Sequence, residues 1–229
     1  MVLMAECRHL AFNKMATIKT WKAEDFKAMD KHFRTQFFNS LTGFKSLNLV
    51  GTISKAGNPN LAVFAQVFHL GADPSLIGMI IRPNSVPRNT LQNIEETQVF
   101  TLNHVRADFV KQAHQTSARY ASAISEFDAV GLHELYTETL KAPYVQESDI
   151  RIGLKCIEKI RIESNQTLLI VGEVIEVMTP EKVVRADGFI NLHEAETLTV
   201  GGLDAYYSTQ KLIRLSYAKP DKALQEIAF

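Results

Sequence analysis

Apolar side chains at Phe26, Met29, Phe33 and Phe37 recur at the spacing of one helical face, so the pattern predicts an amphipathic helix over residues 23–38, with Glu24 and Asp25 in its first turn. The period then shortens to that of extended chain. Residues 47–54, 61–70, 75–82 and 98–105 form short runs rich in Val, Ile and Phe, punctuated by Gly, Asn, Asp and Pro. Lys55-Ala56-Gly57-Asn58-Pro59-Asn60 predicts a hairpin turn between the first two. A second helix is expected over 107–125, followed by a mixed stretch to Tyr144. Strands return at 155–162 and 167–178, flanking Glu163-Ser164-Asn165-Gln166 as a long hairpin, and again at 183–190 and 211–217. About eight strands with few helices imply a mainly β fold, an antiparallel barrel closed or partly closed on itself, because closure removes exposed edges.

A chain of 229 residues, 46% of them hydrophobic, can bury a full core, and no repeat or composition break divides it. We expect residues 1–18 to be a flexible leader, with Met15 a candidate start of the folded part, and residues 19–229 to form a single domain. Twenty-five basic side chains balance twenty-five acidic ones without a block of either sign, which disfavours a nucleic-acid or membrane-surface partner. Apolar runs near residues 76–81 and 168–174 are too short to cross a bilayer. Glu6 and Arg8 interrupt what would be the apolar part of a signal peptide. Two cysteines, Cys7 and Cys156, without a CxxC pair fit a reducing compartment, so a cytoplasmic location is expected.

One loop carries chemistry. Ile81-Arg82-Pro83-Asn84-Ser85-Val86-Pro87-Arg88-Asn89-Thr90-Leu91 follows an apolar strand and runs into a helix, with Asn89 as a candidate N-cap and Gln92 three residues on as its capping-box partner. Helix N-termini offer unpaired N–H groups, and guanidinium suits phosphate, so Arg82 and Arg88 could frame a phosphate cradle. Considered alone, the same loop reads first as an ordinary strand-to-helix connection with solvated arginines. Seven histidines show neither HxxxH nor HExxH spacing, and metal binding is not expected. No Ser-His-Asp order, nucleophile elbow or carboxylate pair stands out, so no catalytic side chain is assigned.

Taken in order, several segments resemble the flavin reductase-like FMN-binding split-barrel family, closest to a bacterial subgroup with an AHQTSA segment. They are Asn39-Ser40-Leu41-Thr42-Gly43-Phe44-Lys45 with Asn48-Leu49-Val50-Gly51-Thr52, Asn60-Leu61-Ala62-Val63-Phe64, Asp73-Pro74-Ser75-Leu76-Ile77-Gly78, Arg88-Asn89-Thr90-Leu91-Gln92-Asn93-Ile94, Phe100-Thr101-Leu102-Asn103, Ala113-His114-Gln115-Thr116-Ser117-Ala118 with Ser125-Glu126-Phe127-Asp128, and Gly201-Gly202-Leu203-Asp204-Ala205-Tyr206. The likeness spans roughly residues 30–218 and implies a Greek-key antiparallel β-barrel with peripheral helices, a homodimer holding FMN near the subunit interface.

By position, the resemblance sets Asn60, Ala62, Val63, Phe64, Ala65 and Gln66 beside the isoalloxazine, and Arg82, Ser85, Arg88, Asn89 and Thr90 around the phosphate. His114, Thr116 and Ser117 would line the flavin or substrate cavity, although they cannot all share one helical face; Ser and Thr there could equally cap a helix turn. Many relatives carry Ser or Thr where this chain has Ala65 and Gln66, which leaves backbone contacts in place of side-chain ones. Lys45 reads as a surface lysine or as a flavin or phosphate contact. The implied activity is transfer of hydride from NADH or NADPH through flavin to a small-molecule electron acceptor or a partner oxygenase. Without a GxGxxG motif, nicotinamide would dock transiently against the flavin. The alternatives are an FMN-binding electron carrier or flavin store, and a barrel that has exchanged flavin for another ligand.

Overall fold

The computed structural model describes residues 17–83, 89–121 and 124–229. The expected N-terminal helix is two: α1 (Ala23–Ala28) and α2 (Lys31–Leu41). Met29 is extended, and the Asp30 side chain accepts the backbone N–H groups of His32 and Phe33, so an N-cap interrupts the apolar period. Neither helix has a buried residue; their aromatic rings pack on each other and on Trp21 instead.

The strands are β1 (Lys45–Ser46), β2 (Asn48–Ile53), β3 (Pro59–Phe64), β4 (Val67–Ala72) and β5 (Ser75–Ile81). Helix α3 (Asn89–Thr97) leads to β6 (Val99–His104), and short helices α4 (Val110–Gln115) and α5 (Glu126–Val130) precede a small pair, β7 (Glu134–Leu135) and β8 (Tyr144–Val145). A hairpin of β9 (Arg151–Ile162) and β10 (Thr167–Met178) is followed by β11 (Thr199–Gly201) and β12 (Ala205–Tyr207), which pair with β1. The turn between β2 and β3 forms as expected, with the Ser54 N–H donating to Asn58 O and Gly57 at φ +90°.

Seven strands form one antiparallel sheet in the order β3-β2-β6-β9-β10-β5-β4. Its two outer strands, β3 and β4, are consecutive in the chain and joined by Ala65 and Gln66 alone. Two residues span too little for a flat sheet of seven strands, so the sheet must curl until its edges meet. The run predicted as one strand over 61–70 is thus a strand that turns a corner and changes edge. The fold is a mainly β split barrel.

Strand β2 is buried on both faces. Val50 points into the barrel with Met79, Phe100, Leu102, Leu154 and Ile170, while Leu47 and Leu49 join an outer layer with Leu61, Phe109, Ala113, Phe127 and Val200. Alternation along the strand sorts the two sets. The outer layer is roofed by α4, α5 and β11, so β3 lies between barrel and roof.

Three further expectations are corrected. Residues 183–190 make a short 3-10 turn (Glu181–Val183) and one bridge, Val184 to Ile190, and 211–217 contributes only the bridge Leu215 to Glu226; β11 and β12 are the strands that form in this part of the chain. Leu212 and Tyr217 in this run are 93% and 89% exposed. The helix expected over 107–125 ends at Gln115, where the Thr116 hydroxyl turns back to donate to Ala113 O (2.8 Å) and closes the last turn.

Candidate functional site

Strand β3 is an edge whose inner rim pairs with β2. Its outer rim is blocked at one point, where the Leu61 N–H donates to Glu126 Oε2 at 3.1 Å. Glu126 is buried, and burial pushes its carboxyl pKa up. Antiparallel pairing turns alternate residues outward, so Val63, two residues on, presents its N–H and C=O on the same open rim. Ala62, Val63, Phe64 and Ala65 are half-buried, and Gln66 is exposed. The Ala65 methyl packs against the outer core, so the polar groups of this corner come from main chain; Gln66 O is taken by the Ile80 N–H at 2.9 Å.

The same corner gathers positive charge. Arg82, exposed, follows the last residue of β5. Lys45 on β1 is partly buried, its Nζ donating to Asn39 O (2.9 Å) and Gly202 O (2.8 Å). Burial first, and the nearby Arg82 charge second, hold the Lys45 pKa below the ordinary lysine value. Neither cation forms an ion pair among the described residues. Two like charges near one another without an acid are eased by a bound anion, and each favours an ionised partner. Ser85 and Arg88 lie outside the described residues.

Asn60 does not face the open rim. Its amide is buried and donates to Thr52 Oγ1 and Thr90 Oγ1, both at 3.2 Å, while Asn93 Nδ2 reaches Thr52 Oγ1 at 3.1 Å. These bonds tie β3 and β2 to the first turns of α3, so Asn60 and Thr90 fix where the helix after the arginine loop begins. Asn89 is the first residue within α3, and Gln92 Nε2 donates to Glu96 Oε1 (2.9 Å) in place of a capping box.

On α4, His114 Nδ1 lies 2.6 Å from Tyr206 Oη, and the Tyr206 ring packs on the same outer core as Val63 and Ala65. His114 is thereby held beside the corner. Thr116 is buried with its hydroxyl spent on Ala113 O, and Ser117 is exposed beyond the helix. Of the three, His114 is the one presented outward with a polar partner. Among the described residues no group of three His, Cys, Asp or Glu could hold a metal ion, and no helix is long and apolar enough to cross a membrane.

The model of the flavin reductase like domain matches residues 45–196. The chain belongs to the flavin reductase-like family. A split-barrel protein of Shewanella frigidimarina assigned as a flavin reductase is 44% identical, with a TM-score of 0.84 over 87% of this chain and 100% of that one. The flavoredoxin of Desulfovibrio vulgaris is 25% identical, with a TM-score of 0.65 over 79% of this chain and 92% of that one. An uncharacterised protein of Halalkalibacterium halodurans is 32% identical over 113 residues; the match covers 48% of this chain and about half, 54%, of that one.

Within this flavin reductase-like domain, sequence reasoning missed the stopper on β3 and the partner of His114. Glu126 and Tyr206 both stood in the family segments, yet nothing local marks a carboxylate for a backbone N–H 65 positions away. Lys45, read from the sequence as a surface lysine or as a flavin or phosphate contact, is held partly buried by two carbonyls, Asn39 O and Gly202 O.

Proposed function

We propose that this chain is an FMN-binding oxidoreductase that passes hydride from NADH or NADPH through flavin to a small acceptor or a partner oxygenase. The observation that carries the reading is the pairing of an open backbone rim at Val63 with the cations Lys45 and Arg82 at one corner. The donor set fits the cofactor. Main-chain N–H and C=O groups suit the polar edge of an isoalloxazine, the two cations suit a phosphate, and Ala62, Phe64 and Ala65 leave the strand without a competing charge. A bound flavin supplies reversible two-electron chemistry, and the protein's share is to bind, orient and tune it. His114, steadied by Tyr206, would face the same space.

Binding is proposed to occur in a homodimer in the cytoplasm, with residues 19–229 acting as one unit. Strand β4 supports a second copy, since Phe68 and Leu70 stand 41% and 43% exposed along an outer strand.

A second reading, an electron carrier or flavin store without nicotinamide activity, is favoured by the likeness to a flavoredoxin. Absorption spectra of the purified protein, before and after FMN is added and the excess removed, test the first claim. Retained flavin bands are expected, and a colourless protein would overturn the assignment of a bound cofactor. Steady-state NADH and NADPH oxidation by the loaded protein then separates enzyme from carrier.

A further inference from the structure

Beyond Lys45 lies a cavity of about 310 Å³, between α2 and the β11–β12 hairpin. Its floor is Gly202, whose carbonyl holds Lys45 Nζ. Gly202 sits at φ +61°, and a Cβ there would come 3.1 Å from Ser40 Oγ, so the floor stays flat only with glycine. Phe44 and Tyr207 form one wall, their ring centroids 4.8 Å apart and their planes at 66°. The rings are 68% and 44% exposed, two aromatic faces left in water beside a concavity.

The rim carries Asp204. Gln36 Nε2 donates to its Oδ2 at 3.1 Å, while Oδ1 has no partner and the carboxylate has no cation in contact among the described residues. An oriented carboxylate with a free oxygen accepts hydroxyl or amine donors and repels anions. Lys45 bonds the Gly202 carbonyl of the floor but does not line the cavity.

A flat base on the aromatic wall and a donor-bearing sugar on the carboxylate rim match these features. Aromatic side chains bind bases by stacking, and an acidic group that takes the ribose 2′-hydroxyl marks a preference for NAD over NADP, since a 2′-phosphate would meet a like charge. The volume is near the lower end of ligand pockets, which suits a nucleoside rather than a whole dinucleotide. We propose that this cavity binds the adenosine end of NADH, with the base against Phe44 and Tyr207 and the ribose on Asp204, and that Asp204 selects against NADPH. This rests on the nicotinamide-dependent reading above.

ADP-ribose and 2′-phospho-ADP-ribose titrated by calorimetry into FMN-free and FMN-loaded protein test it. ADP-ribose should bind, and its 2′-phosphorylated form at least about tenfold more weakly. Asp204→Asn should shrink that discrimination, and Phe44→Ala should weaken ADP-ribose about tenfold. FMN retention is read by absorbance in every sample. In turnover, both variants should raise KM for NADH with kcat little changed. Flavin retained without ADP-ribose binding overturns this inference and leaves the flavin site standing; ADP-ribose bound by a protein that cannot retain FMN does the reverse. Equal binding of the two nucleotides, or unchanged discrimination in Asp204→Asn, overturns the role of Asp204.

Discussion

The two ends of β3 handle polar groups in opposite ways. At its start, Asn60 joins Thr52, Thr90 and Asn93 in a buried set of hydrogen bonds, and across β2 Asn103 bonds Leu49 O, Thr101 and the Val145 N–H, fully out of water. At its end, Val63 to Ala65 are half-buried, and the nearby cations Lys45 and Arg82 form no ion pair among the described residues. Buried polar groups that satisfy one another hold strands in register and leave nothing for a ligand. Open groups near the same-sign charges Lys45 and Arg82 do the converse. One strand thus carries a structural half and the half proposed to bind, and Glu126 at Leu61 marks the boundary between them.

The contrast breaks most severely at Gly51 on β2. A Cβ there would lie 2.1 Å from Pro143 O and 2.5 Å from Thr101 Oγ1, so both backbone and hydrogen-bonded side chain would have to shift. Gly51→Ala should cost about 4 kcal/mol or more, read as a fall in thermal midpoint, with Kd for FMN little changed in whatever remains folded. A stable variant with weakened flavin binding would erase the division.

The binding half answers to Lys45→Met with Arg82→Ala. Loss of two charge-assisted contacts should weaken FMN by about 2–3 kcal/mol, on the order of a hundredfold in Kd, with a small change in thermal midpoint. Unchanged affinity would remove the phosphate assignment.

The boundary gives the smallest effect. Glu126 has a higher pKa in the fold than in the unfolded chain, so its contribution to stability is full below the unfolded value and is lost as pH rises through the raised one. Glu126→Gln keeps an oxygen for the Leu61 N–H and removes the charge. It should abolish that decline and match or exceed the parent at neutral pH, measured by denaturant unfolding across weakly acidic to neutral pH. Identical pH slopes for the two proteins would show that Glu126 does not titrate in this window.

The barrel and its strands were legible because β2, β5, β6 and β10 carry runs whose two faces are both apolar or cleanly alternating. The corner was not. Ala65 and Gln66 interrupt no apolar pattern, and only the sheet order reveals that the chain changes edge there. The C-terminal run at 211–217 misled for the opposite reason, since its apolar period had no neighbouring strand to pair with beyond one bridge. At the candidate site, residue types pointed to a phosphate and the family resemblance to a backbone-bound ring, and side-chain direction then sorted the named residues. Asn60, Thr90 and Thr116 turn inward to bond the fold, whereas Lys45 reaches the Asn39 and Gly202 carbonyls.

The position of the β9–β10 hairpin governs when the site can exist. It lies between β6 and β5, so the sheet's first half and its β4–β5 arm touch the same barrel only after this hairpin has paired on both sides. During synthesis, β3 and Arg82 emerge early, but the ring that brings them together waits for residue 178. Such distant pairings form slowly, and unpaired edges are exposed meanwhile. Under the proposed flavin binding, cofactor capture is therefore a late event in the life of the nascent chain, and a chain truncated before β10 would carry the proposed contacts without assembling the barrel that gathers them.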